Sequence, residues 1–446
     1  MSNRSIPPAG ARRTLATAQL ISSIGDGAYF TCSALYFTRV VGLSPGRLGL
    51  GLAVAWAVGS LAGVPLGHLA DRRGPRGTAV LLAFATAAAV ASFLVVHSFG
   101  GFLLAASLYA TAQSGLTAAR QALVGGLVAR AERTGLLARL QSTLNAGLAL
   151  GAAVGGVVLT VGTRTAFLAA FLLTALGFLT AGLLLLRLPE VAPGRDRTGA
   201  APRLEVLSDR PFAVVTLLNT VLLLRMPLLS LVIPLWIADR APGLGWLGSA
   251  LFVLNTVGVM LFQVRVARRV SGLRTASRAV REAGLVLLAS CGVFALAAAG
   301  GLPLWALGGL LVAAAALQVA GELRQSAGSW QIAFDLAPAH QTGQYQGFFG
   351  SGVAVARTVG PLLLTTLLLT WGVPGWLVLG GIFAAAGWAM GPAVRWAERR
   401  RPGAVAAAGV GVGPDVVPVS GPDAVADVVP DAVAERAAPA AAPARR

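Results

Sequence analysis

The sequence predicts an all-α integral membrane protein, with twelve transmembrane helices in two pseudo-symmetric six-helix bundles. Of its 446 residues, 56% are hydrophobic and only 12% are charged, about half the charged fraction of a soluble domain. The apolar residues gather in twelve runs, each close to the roughly 20 residues that cross a bilayer. The two groups of six runs also share short loop motifs. Together these observations exclude a soluble enzyme, a fibrous protein and a disordered chain.

Each of the twelve runs is bounded by charged residues, glycine or proline. Their Ala- and Leu-rich composition lacks strict alternation, which favours helices over barrel strands. The first run is too long for a signal-peptide core, so we expect a retained first span. In order, the runs lie near residues 14–41, 48–70, 78–98, 102–128, 140–162, 166–186, 211–238, 246–267, 279–299, 303–331, 345–369 and 376–396.

Two segments differ from the apolar runs in composition. A polar stretch with three prolines separates the sixth run from the seventh, and the last segment is rich in Ala, Val, Pro and Asp without bulky core residues, which is typical of disorder. The predicted organisation is an N-terminal tail (1–12), a first bundle (13–187), a linker (188–209), a second bundle (210–397) and a disordered tail (398–446).

The distribution of arginine predicts the orientation in the membrane. The formal net charge is +18 and there is no lysine. With both termini inside, 27 of the 35 arginines fall in inner segments and three in outer loops, as the positive-inside rule requires. We therefore expect cytoplasmic termini in the cell membrane. The basic charge needs no nucleic-acid partner, and the absence of lysine excludes a P-loop and hence an ATP-driven pump.

Two short loop motifs of the first half recur in the second half. Gly74-x-Arg76 matches Gly272-x-Arg274 at an offset of 198 residues, and Thr-Gly135 matches Thr-Gly343 at an offset of 208. Two similar offsets indicate a duplicated six-helix unit. Duplicated units of this kind are common in transporters that work by alternating access.

The loop between the second and third runs carries a more specific pattern, Gly67-His-Leu-Ala-Asp71-Arg72-Arg-Gly74-Pro-Arg76. It resembles the signature G-x-x-x-D-R-x-G-x-R/K of the major facilitator superfamily, and the resemblance covers about residues 13–397. It implies a gating role for the motif. Physically, a tight turn suits Gly74, and Asp71 can pair with an arginine or a neighbouring helix N-terminus.

The fifth run resembles the glycine motif of antiporters in that family, with Ala138 and Ala152 in place of a glycine and a proline. Small residues at this spacing let helix backbones approach closely, so packing alone also explains them. The pattern consists of Gly147, Gly151, Gly155 and Gly156.

Charges within apolar runs are costly and usually functional. Asp26 lies near the middle of the first run and is our first choice for a proton-coupling residue, with Glu322 as the second; a structural ion pair is the alternative for each. An ion pair between Asp26 and Arg225 is one expected arrangement. The other residues expected to line a substrate cavity are Tyr29, Gln113, Arg120, Asn219, Arg225, Gln318 and Arg357.

The resemblance implies a secondary active transporter that moves a small amphipathic molecule by alternating access. We expect proton-coupled export, with proton-coupled import as the alternative. The expected partners are the small-molecule substrate, protons and the lipid bilayer, and the expected state is a monomer. Two cysteines and three scattered histidines form no metal-binding pattern, so no metal, no cofactor and no enzymatic activity are expected.

Overall fold

A computed structural model describes residues 9–191 and 204–400, and the regular structure within those ranges is entirely helical. The predicted tail from residue 401 onward and most of the predicted linker lie outside them. Six helices precede the linker: α1 Ala9–Leu35, α2 Pro45–Arg73, α3 Pro75–Ser92, α4 Phe99–Leu127, α5 Arg130–Val161 and α6 Arg164–Leu185. Seven follow it: α7 Arg210–Leu223, α8 Ile233–Arg240, α9 Gly245–Ala267, α10 Leu273–Ala298, α11 Leu304–Leu336, α12 Thr342–Thr365 and α13 Val373–Arg399.

Helix packing groups α1–α6 and α7–α13, called the first and second bundles below. In the first bundle, α1 packs on α5 and α6, and α4 packs on α2 and α3. In the second, α10 packs on α11 and α13, and α7 packs on α12 and α13. Two seams join the bundles, one between α2 and α12 and the other between α5 and α9. The exact domain boundaries stay a prediction.

Nine of the described helices are long and apolar enough to span a bilayer, namely α2, α3, α5, α6 and α9–α13. The structure therefore supports a multi-pass membrane protein, whereas the count of twelve spans stays a prediction. The start of α5 differs from its apolar run: the helix begins at Arg130, about ten residues before the run. Its first turns are charged, and hydropathy marks the part of a helix inside lipid rather than its ends.

The seventh run is not the single helix that hydropathy suggests. α7 ends at Leu223, a π-helical turn covers Leu228–Val232, and α8 follows. The break is a turn at Leu224 and Arg225, and Pro227 follows two residues later, where it lacks the backbone N–H that a continuous helix would need. The carbonyl of Arg225 accepts hydrogen bonds from the backbone of Leu228 (3.2 Å) and the side chain of Gln318 (3.1 Å). Side-chain support of this kind lets a membrane helix tolerate a break.

Backbone geometry supports the predicted repeat. Gly74 precedes α3 with φ of 97°, and Gly272 precedes α10 with φ of 88°. Side chains rarely adopt such angles, so both turns favour glycine. The two loops matched in sequence thus share a glycine with positive φ directly before the next helix.

Candidate functional site

Two polar networks occupy equivalent places in the two bundles. The first joins α1 to α4 through Asp26 and Gln113. The second joins the break after α7 to α11 through Arg225 and Glu322. Arg225 lies 199 positions after Asp26, and Glu322 lies 209 positions after Gln113, close to the offsets of the loop motifs. In transporters built from internal repeats, discontinuous helices and repeat interfaces form the substrate site.

In the first network, Asp26 accepts hydrogen bonds from two side chains of α4. The hydroxyl of Tyr109 donates to Oδ1 at 2.8 Å, and the amide of Gln113 lies 3.2 Å from both oxygens. The Asp26 side chain is half-buried. Tyr109 was not among the predicted site residues, although it lies one helical turn before Gln113 and shares its face.

Glycines on both sides of Asp26 fix the position of its helix. A Cβ on Gly25 would collide with Thr174 of α6, and one on Gly27 would collide with the backbone of α5 at Leu148. From α5, Gly147, Gly151 and Gly155 lie directly against α1, whereas Gly156 has open space beside it. Three of the four motif glycines therefore serve close α1–α5 packing.

Two arginines surround Asp26 at longer range. Arg120 of α4 donates to Gln19 at 3.0 Å and Ser22 at 3.4 Å, both on α1. Arg357 of α12 is exposed, and it interacts electrostatically with Asp26 and Tyr109. Arg357 lies on the side of α12 opposite the exposed residues Val355 and Val359. The second bundle thus presents a cation toward Asp26 across an open gap.

An aromatic cluster adjoins the same carboxylate. Tyr29 is buried, one turn after Asp26 on α1, and its ring centroid lies 5.2 Å from that of Tyr109. Trp56 of α2 packs edge-on against Tyr109. The expected contribution of Tyr29 to the site is therefore through packing that orients Tyr109.

In the second network, Arg225 is 4% exposed and forms an ion pair with Glu322 at 3.0 Å. Its guanidinium also donates to Gln325, at 2.9 Å from Nη2, and Gln325 in turn donates to Asn219 at 2.7 Å. Asn255 of α9 donates to Glu322 at 2.8 Å. The expected pair between Asp26 and Arg225 is wrong, because each residue is satisfied within its own bundle.

Gln318, the remaining predicted cavity residue, faces the break in the seventh run. It supports the Arg225 carbonyl, and it is 2% exposed. Sequence analysis missed Asn255, whose signal was an amide within the apolar run 246–267.

The loop motif lies between the two bundles, where α2 packs on α12. Asp71 accepts hydrogen bonds from the backbone N–H groups of Gly343 (2.6 Å) and Gln344 (2.9 Å) at the start of α12. Asp71 was expected to pair with an arginine or a helix N-terminus, and it binds a helix N-terminus. A helix N-terminus favours a carboxylate. Gly67 and Gly343 are in backbone contact beside it, so these residues form the latch between the bundles.

The other motif residues lie outside the latch. Arg76 donates to Glu190 at 3.0 Å and to the Leu186 carbonyl, tying the loop to the end of α6. Gly74 makes the turn into α3, and Arg72 is exposed.

A second set of contacts closes the α5 side at the same end. Arg130 pairs with Asp335 of α11 at 2.6 Å, and Thr134 donates to Gln331. Ser142 of α5 donates to the Met260 carbonyl of α9 at 3.5 Å. The end of the molecule that carries Asp71 is therefore closed on both seams. At this end Gly343 and Gly347 of α12 contact α2, whereas Arg357 and Thr358, farther along α12, are exposed. Packing between the bundles is therefore looser toward the opposite end.

Comparison with known proteins agrees with this architecture. A curated relative, the "Putative sugar efflux transporter" of Deinococcus radiodurans, is 30% identical over 276 residues, which cover 57% of this chain and 66% of the relative. The human organic anion transporter MFSD10 matches with a TM-score of 0.65 at 16% identity, covering 86% of this chain and all of that one. A bacterial homologue of the iron transporter ferroportin, solved in an outward-facing state, matches with a TM-score of 0.67 at 15% identity, covering 87% and 100%.

The family comparison covers most of the chain. Residues 15–361 match the model of the Major Facilitator Superfamily, a range that contains the latch, both polar networks and every motif glycine named above. On this match, which the fold and the loop motif support, the chain belongs to the Major Facilitator Superfamily.

Proposed function

We propose that this protein exports a small amphipathic molecule across the cytoplasmic membrane in exchange for protons, acting as a monomer with both termini in the cytoplasm. As a member of a transporter family, it is not an enzyme. The observation that carries the proposal is the Asp26 carboxylate, half-buried beside an open gap between two bundles. A carboxyl group in that place can load and release a proton.

Competition at Asp26 would couple the two fluxes. A substrate hydroxyl that donates to the Asp26 carboxylate needs the deprotonated form, so the proton and the substrate favour different states of one group. Differential binding of this kind is sufficient for exchange. The half-buried ring of Trp56, which packs against Tyr109, offers an apolar surface nearby. A neutral, hydroxyl-bearing amphipathic molecule suits this combination, and the name of the relative from Deinococcus radiodurans adds sugars to that class.

The alternative, proton-coupled import, follows from a different substrate charge. An anion bound at Arg357 or Arg120 would favour protonation of Asp26, because the anion and the deprotonated carboxylate repel each other. Substrate and proton would then bind together and move in one direction.

Proton release from the purified protein on ligand binding separates the two directions. We expect a hydroxylated amphipathic ligand to release protons from the wild type, and Asp26→Asn to abolish the signal. Glu322→Gln is the matched control, with the signal retained. Proton uptake on binding supports import, and a signal that survives in Asp26→Asn overturns the role of Asp26.

A further inference from the structure

A small basic cavity lies at the closed end of the molecule, between α5 and α9. Its volume is about 240 Å³, and it is separate from both polar networks. The first bundle contributes Arg12, Glu132 and Arg139 to its lining, and the second contributes Arg268.

The cavity carries uncompensated positive charge. Arg12 pairs with Glu132 at 2.7 Å, which neutralises one cation. Arg139 and Arg268 are exposed, and within residues 9–191 and 204–400 neither forms an ion pair. Two free guanidinium groups facing one cavity fit an anion with several oxygen acceptors, because guanidinium binds phosphate oxygens in bidentate fashion.

Apart from Ser271, the remaining side chains that line the cavity are apolar, and they continue into the lipid-facing surface. Leu136, Val264 and Val270 line it, and Leu261 and Val257, nearby on α9, are exposed by 67% and 45%. An apolar strip that leads to a basic cavity at a membrane boundary fits an acyl chain attached to an anionic headgroup.

We propose that this cavity binds the headgroup of an anionic phospholipid in the leaflet at the Asp71 end. The headgroup phosphate would lie between Arg139 of the first bundle and Arg268 of the second. Because its walls come from both bundles, the site is complete only while this end is closed. Bound lipid therefore stabilises the closed end, as any ligand stabilises the state that binds it better.

The first experiment compares lipid retention by native mass spectrometry, after purification from membranes that contain phosphatidylglycerol and phosphatidylethanolamine. The test variant is Arg139→Gln/Arg268→Gln. The control, Arg274→Gln/Arg278→Gln, removes two exposed arginines from the start of α10, at the same end of the molecule but outside the cavity. We expect the test variant to bind phosphatidylglycerol roughly tenfold or more weakly, with the control unchanged. Equal retention by the test variant and the wild type overturns the proposal.

A second measurement follows the closed end itself. Ser142→Cys and Met260→Cys place a disulfide reporter across the α5–α9 seam, and we expect phosphatidylglycerol to raise its cross-linking yield relative to phosphatidylcholine. Arg139→Gln/Arg268→Gln should abolish that increase. If inorganic phosphate in detergent produces the same increase and phosphatidylglycerol does not, the ligand is a soluble anion and the lipid assignment is wrong.

Discussion

At the scale of single residues, the two bundles stabilise a charged side chain within the membrane in different ways. The first places an acid on its first helix and satisfies it with neutral donors, Tyr109 and Gln113. The second places a base at the equivalent position and satisfies it with an acid, Glu322. Protonation of Glu322 would break its ion pair with Arg225, whereas Asp26, within residues 9–191 and 204–400, has no ion pair to lose. This difference favours Asp26 over Glu322 as the proton carrier.

Asp26→Asn should abolish accumulation of substrate against its gradient and leave downhill exchange intact. The asparagine fixes a neutral side chain in place of the carboxyl group, so the substrate-binding step loses its link to the proton. Flux in proteoliposomes with and without an imposed pH gradient measures both activities. Glu322→Gln should show the milder loss. The reverse result, with accumulation lost only in Glu322→Gln, would make Glu322 the carrier.

Glu322→Gln should lower stability, because it leaves the guanidinium of Arg225 buried without a counter-ion. We expect a loss of about 1–3 kcal/mol, which is typical when a buried polar group loses its partner. Arg225→Gln/Glu322→Gln should recover part of it, since the double variant has no unpaired charge. Thermal unfolding of Glu322→Gln, Arg225→Gln and the double variant in detergent measures the coupling. Strictly additive losses would contradict the ion pair.

The sequence identified the charged side chains of the two networks but did not predict their partners. Asp26 and Arg225 stand out because charges in apolar runs are rare. Their pairing was mispredicted because residues at equivalent positions of a repeat belong to different bundles, and each finds partners on the fourth span of its own bundle. Tyr109 and Asn255 escaped notice because a single polar residue in an apolar run resembles ordinary packing.

At the scale of helices, the α2–α12 seam depends on the absence of side chains. Gly63 and Gly67 of α2 meet Gly347 and Gly343 of α12, backbone to backbone. Small residues permit such close approach between membrane helices. Asp71 adds the polar contact that fixes the register, through the two N–H groups at the start of α12.

Gly67→Ala should hold the latch open. The added methyl group would collide with the Gly343 carbonyl, and overpacking of this kind costs about 1–3 kcal/mol, enough to lower transport roughly tenfold. Cross-linking between Ser142→Cys and Met260→Cys should fall in parallel. Gly77→Ala is the control, because Gly77 has open space around it. Normal transport by Gly67→Ala would contradict the proposal that transport depends on close glycine packing between α2 and α12.

Asp71→Asn should slow transport while leaving expression and ligand binding largely intact. The substitution keeps one acceptor but removes the charge that the α12 N-terminus stabilises, a loss of about 1 kcal/mol. Transport rate and ligand affinity, measured on the same preparation, separate gating from binding. A transport rate equal to that of the wild type would show that Asp71 has no role in gating.

Helix positions were largely predictable, and helix interruptions were not. Hydropathy located most of the bilayer-facing length of each helix, since lipid imposes an apolar surface. The break after Leu223 had a signal in Pro227 and Pro234, but an apolar run of that length outweighs a proline when hydropathy alone is considered. Its local support by Gln318 depends on tertiary packing, which the sequence does not display.

At the scale of the whole molecule, the bundles meet at one end and pack more loosely toward the other. The arginine distribution predicts that the closed end lies in the cytoplasm, because the loops beside Asp71 and at the start of α5 belong to the arginine-rich set. Under that orientation the open gap, with Asp26 and Arg357 beside it, faces the outside of the cell.

The orientation itself is testable with reporter fusions. Fusions after Arg197, in the linker, and after Trp396, near the end of α13, should be active only with reporters that work in the cytoplasm. The reason is the excess of inner arginines, which hold their loops on the inner side during insertion. Activity of a periplasmic-type reporter at either point would refute the twelve-span topology.

The glycine seam also has a kinetic consequence. Interlocked side chains must change rotamer before two helices separate, whereas two glycine surfaces part without any such rearrangement. The activation barrier for opening should then arise mainly from the polar contacts between the bundles. The main ones are the two hydrogen bonds at Asp71, the Arg130–Asp335 pair and the Thr134–Gln331 hydrogen bond. A transporter built in this way can switch quickly while its resting state stays well defined, because a few polar contacts set the lifetime of that state and the glycines add little resistance to the motion.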